Sequence, residues 1–460
     1  MKIIKLVETA KENNSRLSEI NLSDRLDEKK GLSCSISIDT KQQFQTFKGF
    51  GGAITESVGY VLSTLSEEKQ QEILNAYFNE KTGNNLTFAR THMNSSDFSL
   101  ENWACVEDKD ETLESFSMER TDKYITPNLQ KANIIKNQNL KIMISTWSPP
   151  AWMKDNNDMN HGGKLLPQYK ELLAQYWVKF LDNIKARNLN VELISIQNEP
   201  AATQTWDSCL WSAEEEGEFA TEYLGPALEK AGYSNIKILV WDHNREILWD
   251  RFSTSMKAKN AEKYIGGAAF HWYSGDQYDQ VAKVAEIFPN KELVFTEGCV
   301  EGGPRNGAWF TGERYAHNIF NDLNSGCTAW IDWNIVLDME GGPNHVKNYC
   351  DAPILADANE DKLYYQSSYY YIGQFSRFIQ PGAIRIATKI DGYMTPCTID
   401  GRVGNTIECT AFKNPDETIS FIVYNRTEED AVYNLTLADG TSLGKVKCPA
   451  RGIQTVILKD

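Results

Sequence analysis

Two short segments, Ile194-Ser195-Ile196-Gln197-Asn198-Glu199-Pro200 and Leu293-Val294-Phe295-Thr296-Glu297-Gly298, each run an apolar strand straight into a glutamate. Two carboxyl groups facing one bond are the minimum equipment for cleaving a glycosidic linkage: one protonates the leaving oxygen, and the other acts as base or nucleophile. Pro200 has no backbone N–H to donate, so it turns the chain off the sheet directly after Glu199.

Several neighbours of these glutamates suit the same chemistry. Aromatic residues stand at successive strand ends: Trp147 with Trp152, His271-Trp272-Tyr273, and Trp330 with Trp333. Any one of these rings reads equally well as core, but a series of them at strand ends favours a lined pocket in which the C–H faces of a sugar stack. Asp97 follows the second strand and either accepts from sugar hydroxyls or closes an Asx-turn. Arg90 lies within that strand, where an interior position demands a carboxylate partner, so it is a candidate to pair with a catalytic glutamate. His161, His243, His317 and His345 lack metal-ligand spacing, and neither a metal nor another cofactor is expected. Cys299 has no evident histidine partner and reads as packing rather than as a thiol nucleophile. Glu214-Glu215-Glu216 reads as a solvated helix face.

The elements that must position these residues alternate. Eight candidate strands are Phe47 to Ile54, Leu86 to His92, Lys141 to Trp147, Leu193 to Asn198, Ile236 to Trp241, Gly267 to Trp272, Glu292 to Thr296 and Thr328 to Trp333. Helical stretches lie between them. Leu165 to Arg187 carries Leu166, Tyr169, Leu173, Tyr176, Phe180 and Ile184 on one stripe, and Ser66 and Ser212 read as N-caps. This pattern predicts an α/β fold, a (β/α)8 TIM barrel over 46–382, with the catalytic groups at the C-terminal ends of its strands. A doubly wound sheet would want a glycine-rich phosphate loop, which Gly49-Phe50-Gly51-Gly52 does not match. Over 383–460 the period changes to alternating strands, predicting a side β-sandwich. Residues 1–45 are expected to hold a loosely bound polar lead-in, up to about residue 30, and then a strand at 34–38 that joins the sandwich.

Composition narrows the ligand. The 460 residues carry a formal charge of -16, which disfavours nucleic acid and suits a neutral carbohydrate. No run of residues is long and apolar enough to span a membrane. The opening residues do not read as a signal peptide, and the nine scattered cysteines read as reduced thiols, so a cytoplasmic location is expected.

Taken together, these motifs resemble glycoside hydrolase family 30, in particular its glucosylceramidase-like branch. The resemblance rests on Gly49-Phe50-Gly51-Gly52-Ala53, Asp97-Phe98-Ser99, Thr146-Trp147-Ser148-Pro149-Pro150-Ala151-Trp152-Met153-Lys154, Asn198-Glu199-Pro200, His271-Trp272-Tyr273, Glu297-Gly298-Cys299, Asp332-Trp333-Asn334 and Gly341-Gly342-Pro343-Asn344. It implies a retaining β-glycosidase with Glu199 as acid/base on the fourth strand and Glu297 as nucleophile on the seventh. It also implies that Asp97, Trp147, Asn198, Trp333 and Asn348 hold the sugar, with Tyr273 beside the nucleophile; Arg90, His271 and Trp330 are expected to support the site. Where glucosylceramidases usually read Ser-Glu-Ala-Cys and Cys-Asp-Phe-Ser, this chain has Thr296-Glu297-Gly298-Cys299 and Ser96-Asp97-Phe98-Ser99, so neither departure removes a catalytic group. The expected activity is that of an exo-acting β-glucosidase. The alternatives are a β-xylosidase, an endo-β-1,6-glucanase, or a carbohydrate-binding protein without catalysis. Loops near 100–120, 155–165, 300–312 and 338–352 would either close a pocket or leave a groove.

Overall fold

Eight parallel strands close into a barrel in the computed structural model, which describes residues 1–26, 33–392 and 395–460. The barrel strands are β1 (Phe50–Ala53), β2 (Phe88–Met93), β3 (Lys141–Thr146), β4 (Asn190–Ser195), β5 (Lys237–Asn244), β6 (Ile265–His271), β7 (Glu292–Glu297) and β8 (Ala329–Asn334). Each pairs with the next in sequence, and β8 returns to β1 through Trp330 opposite Phe50.

Side chains alternate along each strand, so the barrel interior is built in layers. Phe88, Met143, Leu193, Leu239, Ala269, Val294, Ala329 and Ile331 form one apolar cluster inside it. Two residues further along, Arg90, Ser145, Ser195, His271 and Thr296 place polar groups at the C-terminal end, all of them buried. Strand β1 contributes glycines to this wall for steric reasons. A Cβ on Gly51 would stand 2.6 Å from Phe88 Cβ, and one on Gly52 would stand 2.5 Å from Ile335 Cγ2.

The helices follow their sequence signals, with local shifts. Pro167 delays the long helix after β3, which runs Lys170–Ala186 behind a short 3-10 turn, and Leu173, Tyr176, Phe180 and Ile184 form its buried face. Ser66 caps Glu67–Phe78, and Ser212 with Glu215 forms a capping box at Ala213–Glu218. The expectation of a solvated acidic triplet fails at Glu216. That residue is buried, accepts the Trp241 N–H at 2.9 Å and pairs with Arg251 at 2.6 Å.

The second unit is a nine-stranded sheet around its own apolar core, which includes Leu6, Ile36, Phe421, Val423, Tyr433 and Leu458. Cys34–Thr46 takes a place in it, between Ile384–Asp391 and Ala431–Leu437. The loosely held lead-in is corrected. Lys2–Ala10 is a strand paired with the closing strand Ile453–Lys459, and Ser15–Glu19 forms the edge beyond it. Buried Glu8, neutralised by Arg25 at 2.7 Å, anchors the segment despite its polar sequence. Positions 27–30 of that expectation lie outside the described residues. All nine cysteines are free thiols.

Candidate active site

Glu199 and Glu297 arrive at the barrel mouth by different local routes. Strand β4 ends at Ser195, and the chain is then held by Asn198 N–H to Thr146 O at 2.7 Å and by Glu199 N–H to Asp242 O at 2.9 Å. Glu199 adopts φ 50°, a left-handed conformation unusual for glutamate and of the kind that clusters at functional sites. Glu297 is the last residue of β7 and pairs with His271 across a register shift after Phe295. Such a bulge re-aims the side chain that follows it.

Beneath the two carboxylates lies a buried polar network. Arg90 donates Nη1 to Glu297 Oε2 at 2.7 Å, Nη2 to Asn198 Oδ1 at 2.8 Å and to Asp242 Oδ2 at 3.1 Å, and Nε to Ser145 Oγ at 3.1 Å. Asp242 also accepts from Thr296 Oγ1 at 2.6 Å and from Ser145 Oγ at 2.9 Å, and it meets His271 Nε2 at 3.1 Å. The other nitrogen of His271 stands 3.3 Å from Glu199 Oε1. Tyr273 donates its hydroxyl to Glu297 Oε1 at 3.1 Å.

The charges of this network set its protonation. Burial opposes a charge on His271, but Glu297, Asp242 and Glu199 prevail and raise its pKa to about 9. Burial would also raise the Glu199 carboxyl, yet the hydrogen bond from His271 and the charges of His243 and His271 hold it down at about 2. Glu297 is raised by burial, against the pull of His271 and Arg90. The set therefore titrates as one unit. With Arg90 and Tyr273 donating to the two oxygens of Glu297, its labile proton is best placed on the His271–Glu199 side. Asp97 is pushed up to about 7 by burial and by the nearby Glu297 charge.

One oxygen of Glu199, one oxygen of Glu297 and one nitrogen of His271 lie within 4.8 Å of one another. The cluster is poorly suited to a metal, because both ring nitrogens of His271 are already committed to carboxylates and the ring holds its proton.

A cavity of about 230 Å³ opens over the pair, and Asp97, Trp147, Asn198, Tyr273, Trp333 and Asn348 line it together with both glutamates. Trp147 and Trp333 stack with centroids 5.4 Å apart, and the Arg90 guanidinium lies 4.8 Å from the first ring and 5.2 Å from the second. Asp97 Oδ2 accepts from Asn344 Nδ2 at 3.1 Å and from Asn348 Nδ2 at 3.3 Å, which ties the loop after β8 to the loop after β2. Arg90 and His271 sit below the cavity. Trp330 does not belong to the site. Alternation along β8 sends Ile331 and Trp333 inward and Trp330 outward, where it stacks on Phe295 at 4.4 Å and donates to Asp322. Trp152 likewise packs on Tyr169, and Trp272 on Tyr315.

Sequence reasoning missed Asp242, and it missed Gln204, Trp206, His243, Asn244, Glu301 and Cys350 in the cavity wall. Strict alternation from Leu239 would point Trp241 inward. A register shift, with φ 76° at Trp241 and 46° at Asp242, exchanges the two. The available signal was an acid in Trp241-Asp242-His243 at a strand end.

Comparison with known proteins gives a consistent picture. The glycosyl hydrolase family 30 TIM-barrel domain matches residues 47–379, and the family's beta sandwich domain matches residues 382–456. The chain is 32% identical over 427 residues to the lysosomal acid glucosylceramidase of Mus musculus, covering 89% of this chain and 80% of that protein. Its fold superposes on the crystal structure of SrfJ from Salmonella typhimurium with TM-score 0.89 and 34% identity over the whole of both chains. The endo-beta1,6-glucanase BT3312 matches with TM-score 0.85 and 26% identity over 99% of each chain.

Proposed function

The chain belongs to glycosyl hydrolase family 30, and on that premise we propose that it is a retaining β-glycosidase that removes a terminal β-glucosyl unit. The observation that carries this reading is the approach of Glu199 and Glu297 oxygens to within 4.8 Å. Retaining enzymes hold their carboxyl groups roughly 5–5.5 Å apart, whereas inverting enzymes need roughly 6.5 Å or more to admit a water. The cavity supports exo action. At about 230 Å³ it is smaller than the roughly 300–1,000 Å³ of sites for drug-sized ligands, and it suits one ring with the remainder of the substrate outside.

In this reading Glu297, ionised and held by Arg90 and Tyr273, attacks the anomeric carbon while the proton that His271 holds against Glu199 passes through that carboxylate to the leaving oxygen, which leaves His271 neutral. Once the glycosyl-enzyme bond forms, the Glu297 charge is gone, and Glu199 takes a proton from the incoming water. Asn198 gives its carbonyl oxygen to Arg90 and keeps its amide N–H groups for a sugar hydroxyl.

A second reading, endo-β-1,6-glucanase, draws support from the near full-length likeness to BT3312. Proton NMR of an aryl β-glucoside digest tests the first reading: the β-anomer of glucose appears first and Glu297→Gln abolishes turnover. Initial release of the α-anomer, or wild-type activity in that variant, refutes it. Longer oligosaccharides from a β-1,6-glucan, without free glucose, would favour the second.

A further inference from the structure

The cavity changes character from floor to mouth. At its floor Asp97, Trp147, Asn198 and Trp333 are each no more than 5% exposed. At its mouth Gln204, Trp206 and Asn244 are half-buried, and Glu301 is exposed. Glu199 faces the mouth side, since its Oε2 accepts from Gln204 Nε2 at 3.3 Å. A sugar seated on the buried floor therefore directs its leaving group outward, past Glu199, to this rim.

The rim is chemically selective. None of the sixteen residues that line the cavity is Leu, Ile, Val, Met or Ala. The apolar contribution at the mouth is the ring of Trp206, which suits the face of a sugar better than the length of an alkyl chain. Glu301 is fixed through its backbone, by a bridge to Cys350 and by Arg305 Nη2 donating to its carbonyl oxygen at 3.3 Å. Among the described residues no side chain hydrogen-bonds or ion-pairs with its carboxylate, which leaves both oxygens open as acceptors beside the site of bond cleavage. Burial raises this carboxyl, and the charges of Arg314 and Arg402 oppose the rise as those of Glu199 and Glu297 add to it.

Resting on the β-glycosidase reading, we infer that Glu301 is a specificity-determining residue of the leaving-group subsite, and that the subsite takes a hydroxylated aglycone, a second sugar, in preference to a lipid-like chain. The carboxylate accepts from aglycone hydroxyls while Trp206 offers a stacking face. A charged hydrogen bond of this kind changes apparent affinity by about tenfold or more.

The test compares the wild type with Glu301→Gln and Glu301→Ala on three kinds of substrate: 4-nitrophenyl β-glucoside, octyl β-glucoside, and whichever of gentiobiose, laminaribiose, sophorose and cellobiose is cleaved fastest. The wild type should favour the disaccharide over octyl glucoside. Glu301→Ala should lose about tenfold in kcat/KM on the disaccharide, mostly through KM, and a distinctly smaller factor on the nitrophenyl and octyl substrates, which offer the carboxylate no aglycone hydroxyl. Glu301→Gln keeps one acceptor oxygen and should lose less than Glu301→Ala. Equal losses on all three substrates, no loss on the disaccharide, or a wild type that prefers octyl glucoside would overturn the inference while the nitrophenyl activity upheld the glycosidase reading. A wild type inert toward the nitrophenyl glucoside would overturn the reading, and the inference with it.

Discussion

Asp242→Asn removes a negative charge and little else, because the carboxamide nearly matches the carboxylate in shape. In the native protein that charge sits 3.1 Å from both Arg90 and His271, with all three groups buried. At an effective dielectric of about 20, an ion pair at that distance is worth about 5 kcal/mol, equivalent to nearly four pKa units. Glu199 and Glu297 remain to support the imidazolium, and Asn can keep one hydrogen bond, so the His271 pKa should fall by at least about one unit from its native value near 9. His271 shares the labile proton with Glu199, so the basic limb of kcat/KM against pH should move down by a similar amount. The pH profile of an aryl β-glucoside, recorded with circular dichroism at each pH to follow the fold, measures the shift. A variant that is slower by the same factor at every pH, with its basic limb in place, would refute the idea that Asp242 holds the proton in the site.

Two further perturbations probe other parts of the site and its support. Glu199→Ala should slow poor leaving groups by about 100-fold or more and activated dinitrophenyl glycosides far less, with external azide restoring the activated reaction; equal loss across leaving groups would refute the acid/base role. Asp332, on the outer face of β8, is buried, with Tyr315 donating to it at 2.8 Å, and burial pushes its carboxyl up to about 8. The folded protein keeps a proton there that the unfolded chain releases, so the stability linked to this group is complete below about pH 4 and is lost as pH rises through about 8. Asp332→Asn does not titrate and should lose less stability than the wild type between pH 5 and 8 in urea unfolding, whereas a wild-type-to-variant difference independent of pH would refute the assignment.

Much of the architecture was legible in local patterns. Eight apolar runs separated by amphipathic stretches announced a barrel, because burial on both faces leaves each strand continuously hydrophobic. The change of period after residue 383 announced the sandwich. Lys2–Ala10 escaped notice because its stability comes from pairing with Ile453–Lys459 at the other end of the chain, a partnership that leaves no mark in the local sequence. The same limit applied at the site. Glu199 and Glu297 stood out because a carboxylate at the end of a buried strand is costly unless it is used, and Arg90 stood out for the same reason.

The chain by itself therefore determined the two carboxylates, their placement at the ends of the fourth and seventh strands, and most of the rings and amides that line the cavity. Only the tertiary structure decided which side of its strand each group faces. Alternation turned Trp330 away to the helices, and the irregular backbone at Trp241 and Asp242 brought an acid inward to hold Arg90 and His271. A one-residue slip in a strand reverses every side chain beyond it, and whether a slip occurs is settled by packing and long-range hydrogen bonds rather than by the residues in the strand.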